Sequence, residues 1–287
     1  MKQKSLFSLI AFVLAVVVYY YVEKNPQQTT GKSNETIETP VANPTKNSSH
    51  PAPVQKDAEV DLTDLEIPAL IKDHQIIRYS GFTVSYNEKH EQADWVAYEL
   101  TSEETRGSAK RTDRFVSDPQ VQTGSATKDD YKGSGYDRGH LAPAGDMKWS
   151  KKAMQESFFF TNMSPQKPAF NRGIWRLLEE QVRDWAKENE AIYVITGSKL
   201  EDGLPTIGEN KVSVPKYYYK VILDYNGPEV KGIGFIFPNE GSKKPLSTFA
   251  VSIDSVEEFV GMDFFHKLPD ATEEALESQL DLSQWEL

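Results

Sequence analysis

The 287-residue chain is 38% apolar and 26% charged, a composition that suits one large globular domain with appendages. It contains no cysteine, which excludes disulfides, thiolate metal sites, a cysteine nucleophile and a lipidated N-terminal cysteine. Any metal must then be held by oxygen or imidazole, a donor set that leans towards hard cations, and the formal net charge of −11 argues mildly against a polyanionic substrate.

Lys2 and Lys4 precede an uncharged run, Leu6 to Val22, that ends in three tyrosines and a valine. Seventeen such residues reach the short end of a membrane span, the tyrosines suit an interfacial belt, and no small-x-small cleavage site follows. Residues 1–24 are therefore expected to be an uncleaved anchor crossing the membrane at 6–22, with a cleaved signal segment as the alternative. The positive flank predicts that the rest of the chain lies outside the cytoplasm, in a bacterial periplasm or at the cell surface, or is secreted if cleavage occurs. Residues 25–61 are rich in Pro, Thr, Asn, Ser and Gln, and read as a disordered polar linker that includes His50.

From residue 62 to 287 the pattern alternates between strands and helices. Phe82–Asn87, Asp94–Thr101, Tyr217–Tyr225, Val230–Pro238 and Leu246–Asp254 read as paired strands, and Phe158–Met163 and Ala191–Gly197 as buried ones. Asn171–Asn189 keeps Ile174, Leu177, Leu178, Val182 and Trp185 at helical spacing, and Ala271–Leu282 reads as a short surface helix. The class is α+β with an antiparallel-rich sheet core. Charge is unevenly spread: 106–152 holds ten Lys/Arg against six Asp, while 270–287 holds six acids and no base. A polyanion responds to the local field, so the net charge loses much of its force.

Two segments carry chemistry. In YKGSGYDRGHLAPAGDM (Tyr131–Met147), His140 is an imidazole that titrates near neutrality and can accept a proton from water. Arg138 can grip a phosphate bidentately, and Gly139 permits a close approach of backbone or substrate. Alternatively, Asp137 and Arg138 form an ion pair and His140 is a satisfied core residue. In TNMSPQKPAFNRGIWRLLEE (Thr161–Glu180), Asn162 ends a strand and Pro165 and Pro168 force a non-helical connection. Asn171 stands at a helix start, and four-residue steps put Asn171, Trp175 and Glu179 on one stripe. An amide and a carboxylate there suit one Mg²⁺ that keeps several waters, although a helix cap and a solvated charge would explain them as well.

Together these blocks resemble the DNA/RNA non-specific endonuclease family, which includes endonuclease G and belongs to the ββα-metal (His-Me finger) nucleases. The resemblance runs from about Tyr79 to Trp285 and includes DWVAYEL, GSGYDRGHLAPAGDM, TNMSPQ…FNRGIWRLLE and SIDSVEEFVGMDFF. It implies a ββα-metal motif within the α+β fold and Mg²⁺-dependent hydrolysis of DNA and RNA to 5′-phosphate products, with Mn²⁺ able to substitute. By the same resemblance His140 is the general base and Asn171 the direct metal ligand. Glu179 holds metal-bound waters, Asn162 positions the base or the phosphate, and Arg138 binds the scissile phosphate with Asp137 in support. A further phosphate-binding arginine is implied on the strand before the motif, where Arg111 fits better than Arg114. A homodimer joins DNA, RNA and the membrane among the expected partners, and a mitochondrial intermembrane location is also allowed.

Two rival readings stand beside the nuclease: a phosphoesterase for small nucleotides, and a non-catalytic nucleic-acid-binding envelope protein on the same fold. His74, His90 and His266 lie outside both blocks and read as surface or packing residues. Trp149 and Tyr136 either stack on bases or pack.

Overall fold

Strands with apolar side chains on both faces need cover on both faces, and the chain meets that need with one central sheet between two sets of helices. A computed structural model describes residues 53–56, 61–70, 74–227 and 229–287. The expected anchor at 1–24, with its span 6–22, lies outside the described residues, among which no helix is long and apolar enough to cross a membrane.

In chain order the described strands are β1 (Val54–Gln55), β2 (Gln75–Arg78), β3 (Thr83–Asn87), β4 (Gln92–Thr101), β5 (Asp137–His140), β6 (Met163–Gln166), β7 (Ala191–Ser198), β8 (Thr206–Ile207), β9 (Val212–Ser213), β10 (Tyr217–Asp224), β11 (Glu229–Pro238) and β12 (Ala250–Val251). The main sheet runs β1-β11-β10-β7-β4-β3-β2, with β12 also on β11, and its pairings are antiparallel. Strands β5 and β6 form a separate two-stranded ribbon. The described α-helices are α1 (Lys128–Tyr131), α2 (Lys151–Glu156), α3 (Arg176–Glu188), α4 (Ile253–Val260) and α5 (Asp270–Glu277).

The two-residue period of β10 sorts its side chains between two cores. Tyr218 and Ile222 join the core that α3 closes with Leu178, Val182 and Trp185; Tyr219, Val221 and Leu223 join the core that α4 and α5 close with Ile253, Val256 and Leu276. Each such large apolar side chain contributes roughly 1.5–3 kcal/mol of burial. The first core also takes Leu141 and Ala142, and so anchors the end of the ribbon against the sheet.

Four expectations are corrected. Val54–Gln55 falls in the stretch expected as a disordered linker, yet it pairs with β11, so ordered chain begins before residue 62. Phe158–Met163 is not a strand: Phe160–Asn162 is a 3-10 turn in which the Asn162 N–H donates to Phe159 O at 3.0 Å, and pairing starts only at Met163. Leu246–Asp254 keeps only Ala250–Val251 as strand, because the Ser252 hydroxyl accepts from the Ser255 N–H and starts α4. The helix expected from Asn171 begins in regular form at Arg176; Phe170–Trp175 is a wider π-type segment broken at Gly173, whose ψ of −114° is not helical. Asn171 and Glu179 therefore do not share one regular helical stripe.

Candidate active site

The ribbon positions the site. Its register pairs Asp137 with Gln166, Arg138 with Pro165, Gly139 with Ser164 and His140 with Met163. Alternation puts Arg138 and His140 on one face and Asp137 on the other. Pro165 is tolerated because the ribbon has only two strands and needs no N–H ladder on its outer edge. A Cβ at Gly139 would overlap the buried Gln166 side chain, so protein packing, rather than substrate, requires glycine here.

On the His140 face, two stacked pairs flank the imidazole. The Arg138 guanidinium lies 4.1 Å over the Phe115 ring, and Arg111 lies 4.9 Å over Phe158. The two phenyl rings pack on His140 at centroid distances of 5.8 and 4.9 Å, the second edge-on. His140 is 8% exposed, and its Nε2 is enclosed without a hydrogen-bond partner. Burial first, then the charges of Arg111 and Arg138, push its pKa down to about 3. The imidazole therefore does not titrate near neutrality in the free protein and is held neutral.

Asn162 is fully buried and its amide is saturated by backbone: Oδ1 accepts from Ala142 N–H at 2.8 Å, and Nδ2 donates to Ala142 O and Ser157 O, both at 2.9 Å. It meets no cleft, and instead clamps the chain two residues beyond His140. On the other ribbon face, Asp137 accepts from Asn171 Nδ2 at 2.9 Å and from Arg172 at 2.8 and 2.6 Å. These bonds lower the Asp137 pKa against the pull of burial, and its partner is Arg172 rather than the neighbouring Arg138. Because Nδ2 of Asn171 is engaged, the amide is oriented with Oδ1 as its remaining acceptor.

Glu179 lies two turns on, in a charged knot. Burial pushes its carboxyl up, as does Asp146, while Lys220, Arg183 and Arg111 pull it down. Lys220 is fully buried, donates to Thr196 Oγ1 and lies 5.1 Å over the Trp175 ring; burial depresses its pKa and Glu179 offsets part of that. Asp146, also fully buried, accepts from Tyr98 Oη at 2.7 Å and Arg183 at 2.8 Å. An amide oxygen at Asn171 and a carboxylate at Glu179 are oxygen donors of the type that suits a hard divalent cation with retained waters.

An open cleft of about 600 Å³ runs over this region, lined by Arg111, Lys128, Lys132, Arg138 and Arg172 against Asp113, Asp129 and Asp137, a local excess of two positive charges. Arg111 pairs with Asp113 at 2.6 Å and Arg172 with Asp137; Arg138, Lys128 and Lys132 have no carboxylate partner among the described residues. Arg114 is exposed and lines no part of this cleft, whereas Arg111 does. Tyr136 forms part of the cleft wall. Trp149 is 39% exposed beside a second basic hollow with Arg106, Lys110, Lys148 and Lys151, so it is not a core residue. Of the other histidines, His74 Nδ1 meets Asp94 at 2.5 Å, His90 Nδ1 meets Ser213 Oγ at 2.8 Å, and His266 is exposed.

Phe115, Phe158, Asp146, Arg183 and Lys220 were not expected at the site. Lys220 had a readable signal, a lysine inside the apolar strand YYYKVILDY, and Arg183 follows Glu179 at i+4 on a core-facing helix. Phe115 and Phe158 had none, because their role depends on contacts distant in sequence.

The family model for DNA/RNA non-specific endonucleases matches residues 66–271. Nuclease C1 of Cunninghamella echinulata var. echinulata is 38% identical over 209 residues, covering 67% of this chain and 83% of that protein. The mitochondrial nuclease EXOG of Mus musculus is 35% identical over 209 residues, again 67% of this chain but 57% of its own length. Among solved structures, one described as the EndoG/EndoGI complex matches with a TM-score of 0.67 and 30% identity, covering 74% of this chain and 91% of that one.

Proposed function

The chain belongs to the DNA/RNA non-specific endonuclease family, and from that premise we propose that this nucleic-acid-hydrolysing enzyme cleaves DNA and RNA to 5′-phosphate products with His140 as general base. The observation that carries the reading is the neutral, unpartnered imidazole of His140 flanked by the Arg138–Phe115 and Arg111–Phe158 stacks beside a basic cleft. A phosphodiester entering there meets the guanidinium groups of Arg111 and Arg138, and its charge relieves their pull on the imidazole. His140 then becomes a stronger base in the complex than in the free protein, and takes the proton of the attacking water.

Asp137 holds Asn171 so that its amide oxygen can ligate a metal, and Glu179 would hold that metal's waters. Mg²⁺ at this position, or Mn²⁺ in its place, would neutralise charge developing on the phosphate and the leaving 3′ oxygen. Asn162 acts as a positioning residue through the Ala142 backbone. Contacts made chiefly to phosphate explain weak sequence preference, and a mechanism that needs no 2′-hydroxyl serves DNA and RNA alike.

We also place the catalytic domain outside the cytoplasm on an anchor at 6–22, which Lys2 and Lys4 support; a catalytic domain protected from protease in intact cells would contradict this. The activity is tested with supercoiled plasmid, RNA and a small aryl phosphodiester, each with and without Mg²⁺. The expected result is metal-dependent cleavage of both polymers with 5′-phosphate ends. Turnover of the small diester alone would favour the phosphoesterase, and polymer binding without cleavage the non-catalytic protein.

A further inference from the structure

On the sheet face covered by α4 and α5, three carboxylates converge. Asp254 and Glu257 stand three residues apart on α4, which puts them on one helix face, and Glu277 ends α5. One carboxylate oxygen from each lies within 4.8 Å of the other two. Glu277 is 3% exposed, and its Oε1 is buried with no hydrogen-bond partner. Glu257 Oε1 accepts from the Phe264 N–H at 2.6 Å.

The charged groups acting most strongly on Glu277 are all acids: Glu257, Glu273, Asp254 and Asp263. Its position at the C-terminal end of α5 adds the negative end of a helix dipole. A buried carboxylate among like charges is costly, and a bare hydrogen-bond acceptor adds the cost of desolvation. Nothing in the catalytic reading uses these residues.

We propose that Asp254, Glu257 and Glu277 form a Ca²⁺ site that staples α4 to α5, separate from the metal ligands of the cleft. Ca²⁺ accepts irregular sets of six to eight oxygens, so the buried Glu277, a half-buried Glu257 and an exposed Asp254 that leaves room for water suit it better than Mg²⁺, which demands near-octahedral order. Binding would replace repulsion by attraction across two short helices that pack on the outer end of the sheet, at β11.

The test uses the full chain carrying Asn171→Ala, so that the cleft's proposed ligand is removed, after treatment with chelator. Equilibrium dialysis against Ca²⁺ is expected to give about one ion per chain, and saturating Ca²⁺ to raise the melting temperature by roughly 5–10 °C. Adding Asp254→Asn, at an exposed position, is expected to abolish both effects while the chain still melts cooperatively. Glu277→Gln is expected to raise the melting temperature of the Ca²⁺-free protein and to remove its response to Ca²⁺. No Ca²⁺ binding in the Asn171→Ala chain would overturn the site, as would binding that survives both Asp254→Asn and Glu277→Gln. A response to Mg²⁺ without one to Ca²⁺ would overturn the choice of ion.

Discussion

The cleft carries an excess of cations and the α4–α5 cluster a crowd of acids, and they differ in how water reaches them. Arg111, Lys128 and Lys132 stand at an open surface, where solvent and salt screen their repulsion, so they can wait for a polyanion that comes and goes. Glu277 is enclosed beside Asp254 and Glu257, where repulsion is barely screened and a resident cation or proton is needed. An exposed crowd of charge is thus compatible with turnover, and a buried one with permanent occupancy. His140 belongs to neither class, because its burial and, second to that, the two arginines keep it uncharged.

The comparison breaks most visibly at the proposed metal site. Asn171→Ala is expected to lower Mg²⁺-supported cleavage by more than about 100-fold. Glu179→Ala and Asp137→Ala should each lose about 10–100-fold, partly restored by raised Mg²⁺, as outer partners do. Rates across a Mg²⁺ titration check this, and an Asn171→Ala enzyme equal to wild type throughout would remove the metal assignment.

The neutral state of His140 has a pH signature. Folded, its pKa is about 3; unfolded, it is near 6.5, so the unfolded chain binds more protons between these values and stability falls as pH drops through that window. Denaturant melts at pH 7 and pH 4.5 should therefore show His140→Gln losing less stability on acidification than wild type, by on the order of 2 kcal/mol. Identical acid losses in the two proteins would mean that the imidazole is charged in the fold.

Much of this arrangement is legible in the sequence because its signals are local. The strands at β3, β4, β7, β10 and β11 follow hydrophobic runs, and the DRGH and FNRGIWRLLE blocks place His140, Arg138, Asn171 and Glu179. The apolar spacing of Asn171–Asn189 runs through Gly173 without interruption, so the break there is invisible until backbone geometry is known. The lowered pKa of His140 depends on its burial in the fold and on Arg111 and Arg138, and the acid cluster joins Glu277 to residues twenty or more positions before it. Neither leaves a periodic trace.

Smaller effects sharpen the contrast at the surface. Lys128→Ala and Lys132→Ala should weaken binding to every sequence alike and lower the slope of log affinity against log salt by about one each. Trp149→Ala should weaken single-stranded substrates several-fold, in line with about 1 kcal/mol for one lost base stack, and leave turnover at saturation unchanged. Fluorescence anisotropy across a salt series reads both, and an unchanged slope in the lysine variants would take these side chains off the substrate path.

The central claim, that an uncharged His140 between Arg111 and Arg138 removes the proton from the attacking water, is tested most directly by single-turnover plasmid cleavage at saturating Mg²⁺. His140→Ala is expected to cut the rate by about 10²–10⁴-fold while substrate affinity stays near wild type and the protein still melts cooperatively. A His140→Ala enzyme that retains most of the wild-type rate would contradict it.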